Sequence, residues 1–320
     1  MCYSAQIEAE YKAYVRKFGA RMSLMGFHDL FWRRAREAYV LQIPKAVEEA
    51  FAHPQTEQER EIKALIDEFK AQQATRFEQL LFEQKTRLVQ AQRKLEIKIT
   101  KAAQESQRIA SKKVAWAMDK LADLRRTRLE ERDARIFPDW YAPVMVVENG
   151  ERLVKPMRYH CLPAGKPAAF DAKFPGTFNA RRDSLEGFWK GVFGVTHGIL
   201  LIRSFFEHVN RHQAEGRALA PGEIPEDVVI EFKPDSGADM LAACIWSRWT
   251  SPGQPDLLSF ALITDDPPAE VVAAGHDRCV IPIKPEHIDA WLHPDPANLA
   301  RSYAILDDRQ RPYYEHRMAA

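Results

Sequence analysis

The chain has 320 residues, of which 46 are Lys or Arg and 45 Asp or Glu, for a formal net charge of +1, and 46% of it is hydrophobic. That length and apolar content describe one large or two ordinary domains with a real core, and no run approaches the roughly 20 apolar residues that span a bilayer. Cys2, Cys161, Cys244 and Cys279 are scattered without C-x-x-C spacing, which argues against a zinc site or disulfide framework, and no metal or cofactor is expected.

In chain order, the first informative residue is Cys2 in Met1-Cys2-Tyr3-Ser4. Trimming of Met1 leaves an α-amine and a thiol on adjacent carbons. A 1,2-aminothiol condenses with an aldehyde to an imine, and the sulfur closes on the imine carbon to give a thiazolidine. The plain alternative is a chance cysteine in an unstructured start. Residues 5–50 read as short helices with apolar anchors Ile7, Tyr11, Tyr14, Val15 and Phe18, broken near Gly19 and at Pro44. From Gln55 to Phe137 there is neither glycine nor proline, which predicts a long helix or a helical hairpin. A partial heptad seam runs through Leu81, Leu88, Leu95, Ala102, Ile109 and Trp116, with Lys85, Gln92, Ser106 and Lys113 at the complementary positions. Between Lys85 and Arg128 about 13 Lys/Arg face about 4 Asp/Glu, a basic stretch that suits phosphates or simply a solvated helix face.

The pattern changes at Phe137-Pro138. Short apolar runs follow at 144–147, 198–202, 228–232, 241–246, 258–263 and 279–283, with a hairpin signal at Asn149-Gly150. They predict an antiparallel mixed sheet or partly closed β-barrel in an α+β fold, and a helix over Pro285 to Trp291. Three strings in this half carry candidate chemistry. In Phe178-Asn179-Ala180-Arg181, Asn179 offers donor and acceptor groups, and Arg181 shares its face if the segment is extended. In Phe205-Phe206-Glu207, an apolar strand sets a carboxyl among aromatics, where desolvation raises its pKa and suits it to proton transfer. In Gly275-His276-Asp277-Arg278, a histidine at a strand start can act as base or as donor to developing negative charge. The ordinary alternatives are a turn asparagine with a surface arginine, a glutamate paired with Arg203, and a structural histidine beside an Asp277–Arg278 ion pair.

The order of these strings resembles the SOS-response-associated peptidase (SRAP) family: Met-Cys, then Asn-Ala-Arg, then an apolar strand ending at Glu207, then His-Asp-Arg before another strand. Trp140-Tyr141-Ala142-Pro143-Val144, Ala243-Cys244-Ile245-Trp246, Phe260 to Thr264 and Ile281 to Leu292 extend the resemblance, which covers residues 1 to about 18 and about 136 to 310. It implies a catalytic domain of residues 1–18 and 136–320 with a helical insertion over 19–135. It further implies a protein that cross-links to abasic sites in single-stranded DNA through Cys2. Asn179 would position the α-amine or the sugar, Glu207 would be the acid/base, and His276 would assist on the opened sugar. Arg181 and Arg278 match arginines that hold the DNA backbone.

The chain departs from the family at Tyr3-Ser4, where Gly-Arg is usual, at Met157 to Pro163, and in the insertion itself. Two further readings stand beside the first. One is a cysteine-dependent peptidase or autoprocessing hydrolase, with lyase activity as a further expectation; the other is a non-catalytic coiled-coil DNA-binding adaptor. The expected setting is cytoplasmic and nucleoid-associated, with self-association or a replication or repair partner engaged through the insertion.

Overall fold

The computed structural model describes residues 3–9, 11–37 and 41–319. Among these, residues of 1–30, 41–53 and 130–320 form one compact unit, and residues of 31–40 and 54–129 a second.

The first unit is built on one mixed sheet. Its strands are β1 (Ser4–Ile7), β2 (Arg21–Met22), β3 (Arg135–Ile136), β4 (Tyr141–Glu148), β5 (Glu151–Tyr159), β6 (Asn179–Arg181) and β7 (His197–Asn210). They continue with β8 (Asp227–Pro234), β9 (Met240–Trp249), β10 (Leu257–Asp265), β11 (Cys279–Val280), β12 (Pro282–Ile283) and β13 (Tyr314–Met318). The pairings β4–β5, β5–β10, β10–β9, β9–β7 and β7–β4 close a partial ring, in which the β5–β10 and β4–β7 seams are only two residue pairs long. The expected α+β sheet with a partly closed barrel is therefore present. Asn149 (φ 50°) and Gly150 (φ 77°) join β4 to β5 as a two-residue loop; both need left-handed backbone, which asparagine and glycine accept readily.

Alternate residues of the ring strands build the core. Met145, Val154, Ile199, Leu201, Ala243, Ile245, Ala261 and Ile263 belong to one buried cluster with Trp291, as the period of two along a strand requires. On the other face, Gly198 pairs with Cys244 across β7 and β9. A Cβ at Gly198 would lie 2.9 Å from Val144 Cγ1, 3.1 Å from Cys244 Sγ and 3.3 Å from the Met145 carbonyl oxygen. Gly198→Val is thus expected to destabilise the fold by about 1–3 kcal/mol through overpacking, read as a melting temperature lowered by several degrees.

Near the N-terminus the helical reading is partly corrected. Helices α1 (Tyr11–Phe18), α2 (Leu24–Arg36) and α3 (Lys45–Glu49) are present, but Ile7 lies on strand β1, not on a helix. Ile7 is buried, while Val15 is exposed. The pairing that makes β1 a strand is with β7, about two hundred residues away, and local propensity does not report it.

The second unit holds α4 (Glu57–Ile97) and α5 (Lys101–Arg125), a helical hairpin. Thr56 caps α4 in a capping box with Glu59, and Thr100 accepts from Ala103 N–H to start α5; each satisfies an otherwise orphaned donor. The helical segment ends at Arg125, before the sequence pattern does, and residues 135–136 are strand. The seam on α5 also differs from the expected one. Ala103, Ala110 and Ala117 are buried at intervals of seven, whereas Ala102 is exposed and Trp116 is 47% exposed. The chain reverses between Ile97 and Lys101, so a heptad register drawn through both helices slips by one residue.

Candidate functional site

The site grows out of the bend in β7. In pairing with β1, Ile7 faces Ile202 and Gln6 faces Ser204, which leaves Arg203 as an extra residue in β7. Such a bulge re-aims the side chains beyond it. Glu207 follows four residues later, fully buried, opposite Ile230 of β8. Burial raises its pKa well above the usual carboxylate range, and the Tyr3 backbone N–H donates to the carbonyl oxygen of the preceding residue, Phe206, at 3.2 Å. The alternative pairing of Glu207 with Arg203 does not occur, because Arg203 binds Glu8 at 2.5 Å.

His276 meets this carboxyl from the other side. Its Nε2 lies 3.2 Å from Glu207 Oε2, and its Nδ1 donates to the Arg278 carbonyl oxygen at 2.9 Å. The Nδ1 bond leaves Nε2 as the acceptor of a neutral ring. Burial lowers the His276 pKa to about 4, so both partners are favoured in their neutral forms, with the carboxyl oxygen and the imidazole nitrogen 3.2 Å apart. Gly275 makes the approach feasible: its φ is 94°, and a Cβ there would fall 2.7 Å from Gln213 Cβ. Only glycine meets both conditions without strain.

Asn179 and Arg181 reach the same neighbourhood through β10. Strand β6 runs parallel to β10 with Asn179 opposite Leu262 and Arg181 opposite Thr264; on the other edge, Val280 and Cys279 of β11 face Thr264 and Asp265. The Asn-Ala-Arg string and the strand after His276 therefore flank the same end of β10. Asn179 is buried, and the segment is extended as expected. Arg181 pairs with Asp183 at 3.2 Å and with Asp266 at 3.7 Å, while Arg278 grips Asp277 through two bonds of 2.9 Å. That bidentate contact holds Asp277 ionised, its pKa lowered to about 2.

Cys2 lies outside the described residues. The other three cysteines are free and buried, and burial pushes the Cys161 and Cys279 thiols up to about 12 and Cys244 upward as well. They are core thiols with little thiolate at neutral pH. Among the described residues no group of three or more His, Cys, Asp or Glu is arranged to hold a metal ion, and no helix is long and apolar enough to cross a membrane.

Sequence reading missed the aromatic and cationic surround of strand β1. The Tyr3 ring packs edge-on against Phe137 (5.7 Å) and His208 (4.4 Å), and Phe137 touches Trp140 (5.4 Å). The Arg135 guanidinium lies over the Phe206 ring at 3.7 Å. Nothing local in the sequence joins Tyr3 to Phe137; the antiparallel pairing of β1 with β3 does.

Fold and site together define an α+β protein whose strand ring brings a buried carboxyl–imidazole pair to the start of its first strand. The family model for the SOS response associated peptidase (SRAP) matches residues 96–318, and the chain belongs to that family. Among solved structures, a protein from Bordetella bronchiseptica is similar at 16% identity over 58% of this chain and 87% of that one, with a TM-score of 0.44. A Bacteroides thetaiotaomicron protein is similar at 15% identity over 58% and 78%, TM-score 0.46. A phage-related protein from Bordetella bronchiseptica is similar at 19% over 61% and 85%, TM-score 0.43. No curated protein matches the chain.

Proposed function

We propose that this protein captures abasic sites in single-stranded DNA covalently, through a thiazolidine formed by Cys2 once Met1 has been removed. The observation that carries this reading is the register of the chain start on β7, where the Tyr3 backbone N–H donates to the carbonyl oxygen of Phe206 at 3.2 Å, next to the buried Glu207, because that nitrogen is the one bonded covalently to Cys2. Strand β1 thus starts alongside the segment of β7 that carries a buried acid.

The steps balance without a cofactor. The α-amine adds to the C1′ aldehyde of the ring-opened deoxyribose, giving a carbinolamine. Glu207 donates a proton to the departing hydroxyl, water leaves, and an imine remains. The Cys2 sulfur then attacks the imine carbon and its proton passes to the nitrogen, closing the five-membered ring. One water is released in all, and nothing is oxidised or reduced. Proximity makes the last step fast, since thiol and imine belong to one residue. His276, neutral and 3.2 Å from Glu207, would accept a proton at Nε2 and, once protonated there, donate it to the opened sugar's 4-hydroxyl. Asn179 would orient the amine or sugar, and Arg181 and Arg278 would meet the DNA backbone by exchanging their carboxylate partners for phosphate. Membership of a family named for a peptidase fits a site that also hydrolyses the Met1–Cys2 bond.

The test incubates the protein with an oligonucleotide carrying one abasic site and resolves heat-stable adducts on a denaturing gel. Wild type is expected to form the adduct and Cys2→Ala to lose it. No adduct with wild type, together with turnover of a peptide, would replace this reading with a cysteine-dependent peptidase. Strand binding that persists without either chemistry would point to an adaptor.

A further inference from the structure

The two arginines that the sequence singles out are already held by carboxylates, Arg181 by Asp183 and Asp266, Arg278 by Asp277. Arg135 on β3 is different. Its Nε donates to Ser4 Oγ at 2.9 Å, and it makes no ion pair among the described residues. Its guanidinium is clamped over two rings, Phe206 at 3.7 Å and Phe137 at 4.9 Å. Glu231 acts on it only through space, because its carboxyl oxygens accept from Ser204 Oγ and Arg317 Nε, each at 2.6 Å. The group is half-buried, and burial lowers its pKa; an incoming anion would relieve that desolvation.

A stacked, oriented guanidinium with its two terminal NH2 groups unspent has the geometry to bind one anionic oxygen pair in a fork. The position fits the reading above, on which this inference rests. Ser4 is two residues from Cys2, a span of at most about 7 Å between Cα atoms, so the bond to Ser4 Oγ keeps the guanidinium within about 13 Å of the residue that would bear the aminothiol. That is the reach of a phosphodiester next to the reacting nucleotide. Tyr3, Phe137 and Trp140 beside it supply ring faces of the kind on which unpaired bases stack.

We infer that Arg135 is a phosphate-binding residue that grips a backbone phosphodiester flanking the abasic nucleotide. Because Phe206 and Glu207 are successive residues of a strand, their side chains leave opposite faces. The DNA strand therefore passes around the start of β1, with a phosphate on the Arg135 side and the opened sugar on the Glu207 side. Arg135 binds and positions without touching the reacting atoms.

The experiment measures cross-linking against oligonucleotides in which each phosphate flanking the abasic site is replaced, one at a time, by an uncharged methylphosphonate. Arg135→Gln is expected to raise the DNA concentration for half-maximal rate several-fold and leave the maximal rate constant unchanged. It should also reduce the salt slope of binding by about 0.7, the value of one contact to a single strand. One methylphosphonate position should weaken wild type and have no further effect in Arg135→Gln, as a shared contact requires. Arg135→Lys, which keeps the charge, should keep the salt slope; a purely structural role would not distinguish these readouts. An unchanged half-maximal concentration and slope in Arg135→Gln, or effects that multiply at every position, overturns the inference. If Arg135→Gln fails to melt cooperatively, a wild type insensitive to every flanking methylphosphonate overturns it instead. If wild type makes no adduct, the cross-linking reading fails, and the salt slope for an unmodified single strand still decides the Arg135 contact.

Discussion

Glu207→Gln is expected to slow adduct formation by about 10²–10⁴-fold, the usual contribution of a general acid, and to make the protein more stable at alkaline pH. The two effects share one cause. Glu207 is fully buried, and burial holds its pKa above the unfolded value of about 4.3. A carboxyl raised in this way contributes stability that is complete below the unfolded pKa and is lost as pH rises through the folded one. Glutamine keeps the shape, carries no charge at any pH, and removes that loss. Melting curves of the two proteins should therefore diverge as pH rises, with the variant higher. The wild-type single-turnover rate should fall as Glu207 ionises, while the slow rate of the variant should lack that limb. Parallel melting curves, or a variant with the wild-type rate, would remove Glu207 from its assigned part. His276 has the opposite sign: with its pKa lowered to about 4, its contribution is complete above the unfolded value near 6.5 and is lost as pH falls through about 4.

Cys2→Ser should separate the amine from the sulfur. The serine variant keeps the α-amine and can form the imine, but a hydroxyl is a far weaker nucleophile than a thiolate, so the ring does not close into a stable product. The heat-stable adduct is expected to fall by more than about 100-fold relative to wild type, given the effective molarity that a neighbouring thiolate supplies. Adding borohydride, which reduces an imine to an amine, should recover a stable adduct in Cys2→Ser. Equal heat-stable yield from Cys2→Ser without reductant would show that sulfur is not needed.

The parts of the fold visible in the sequence are those encoded by neighbours in the chain. The Asn149-Gly150 turn, the alternating runs that became β7, β9 and β10, and the glycine-free helical stretch all carry local signatures. Those that were not visible depend on distant pairing. Ile7 reads as a helix anchor until β7 pairs with it, and the α5 seam shifts because the hairpin turn interrupts the heptad count.

The candidate site divides the same way. Glu207 among aromatics and His276 after a glycine carry their chemistry in their neighbours, yet only the fold brings them to 3.2 Å. Arg135 is silent in the sequence because its contact with Ser4 spans 131 residues. The sequence departure at Ser4, where the family usually has arginine, leaves a hydroxyl that Arg135 reaches from another strand.

The central claim is tested most directly by the intact mass of the protein after incubation with an abasic oligonucleotide in the absence of reductant. The account predicts a single species whose mass equals the chain lacking Met1 plus the oligonucleotide minus one water, with peptide mapping placing the oligonucleotide on Cys2. An adduct on a chain that retains Met1, or one that persists at full yield in Cys2→Ala, would contradict it.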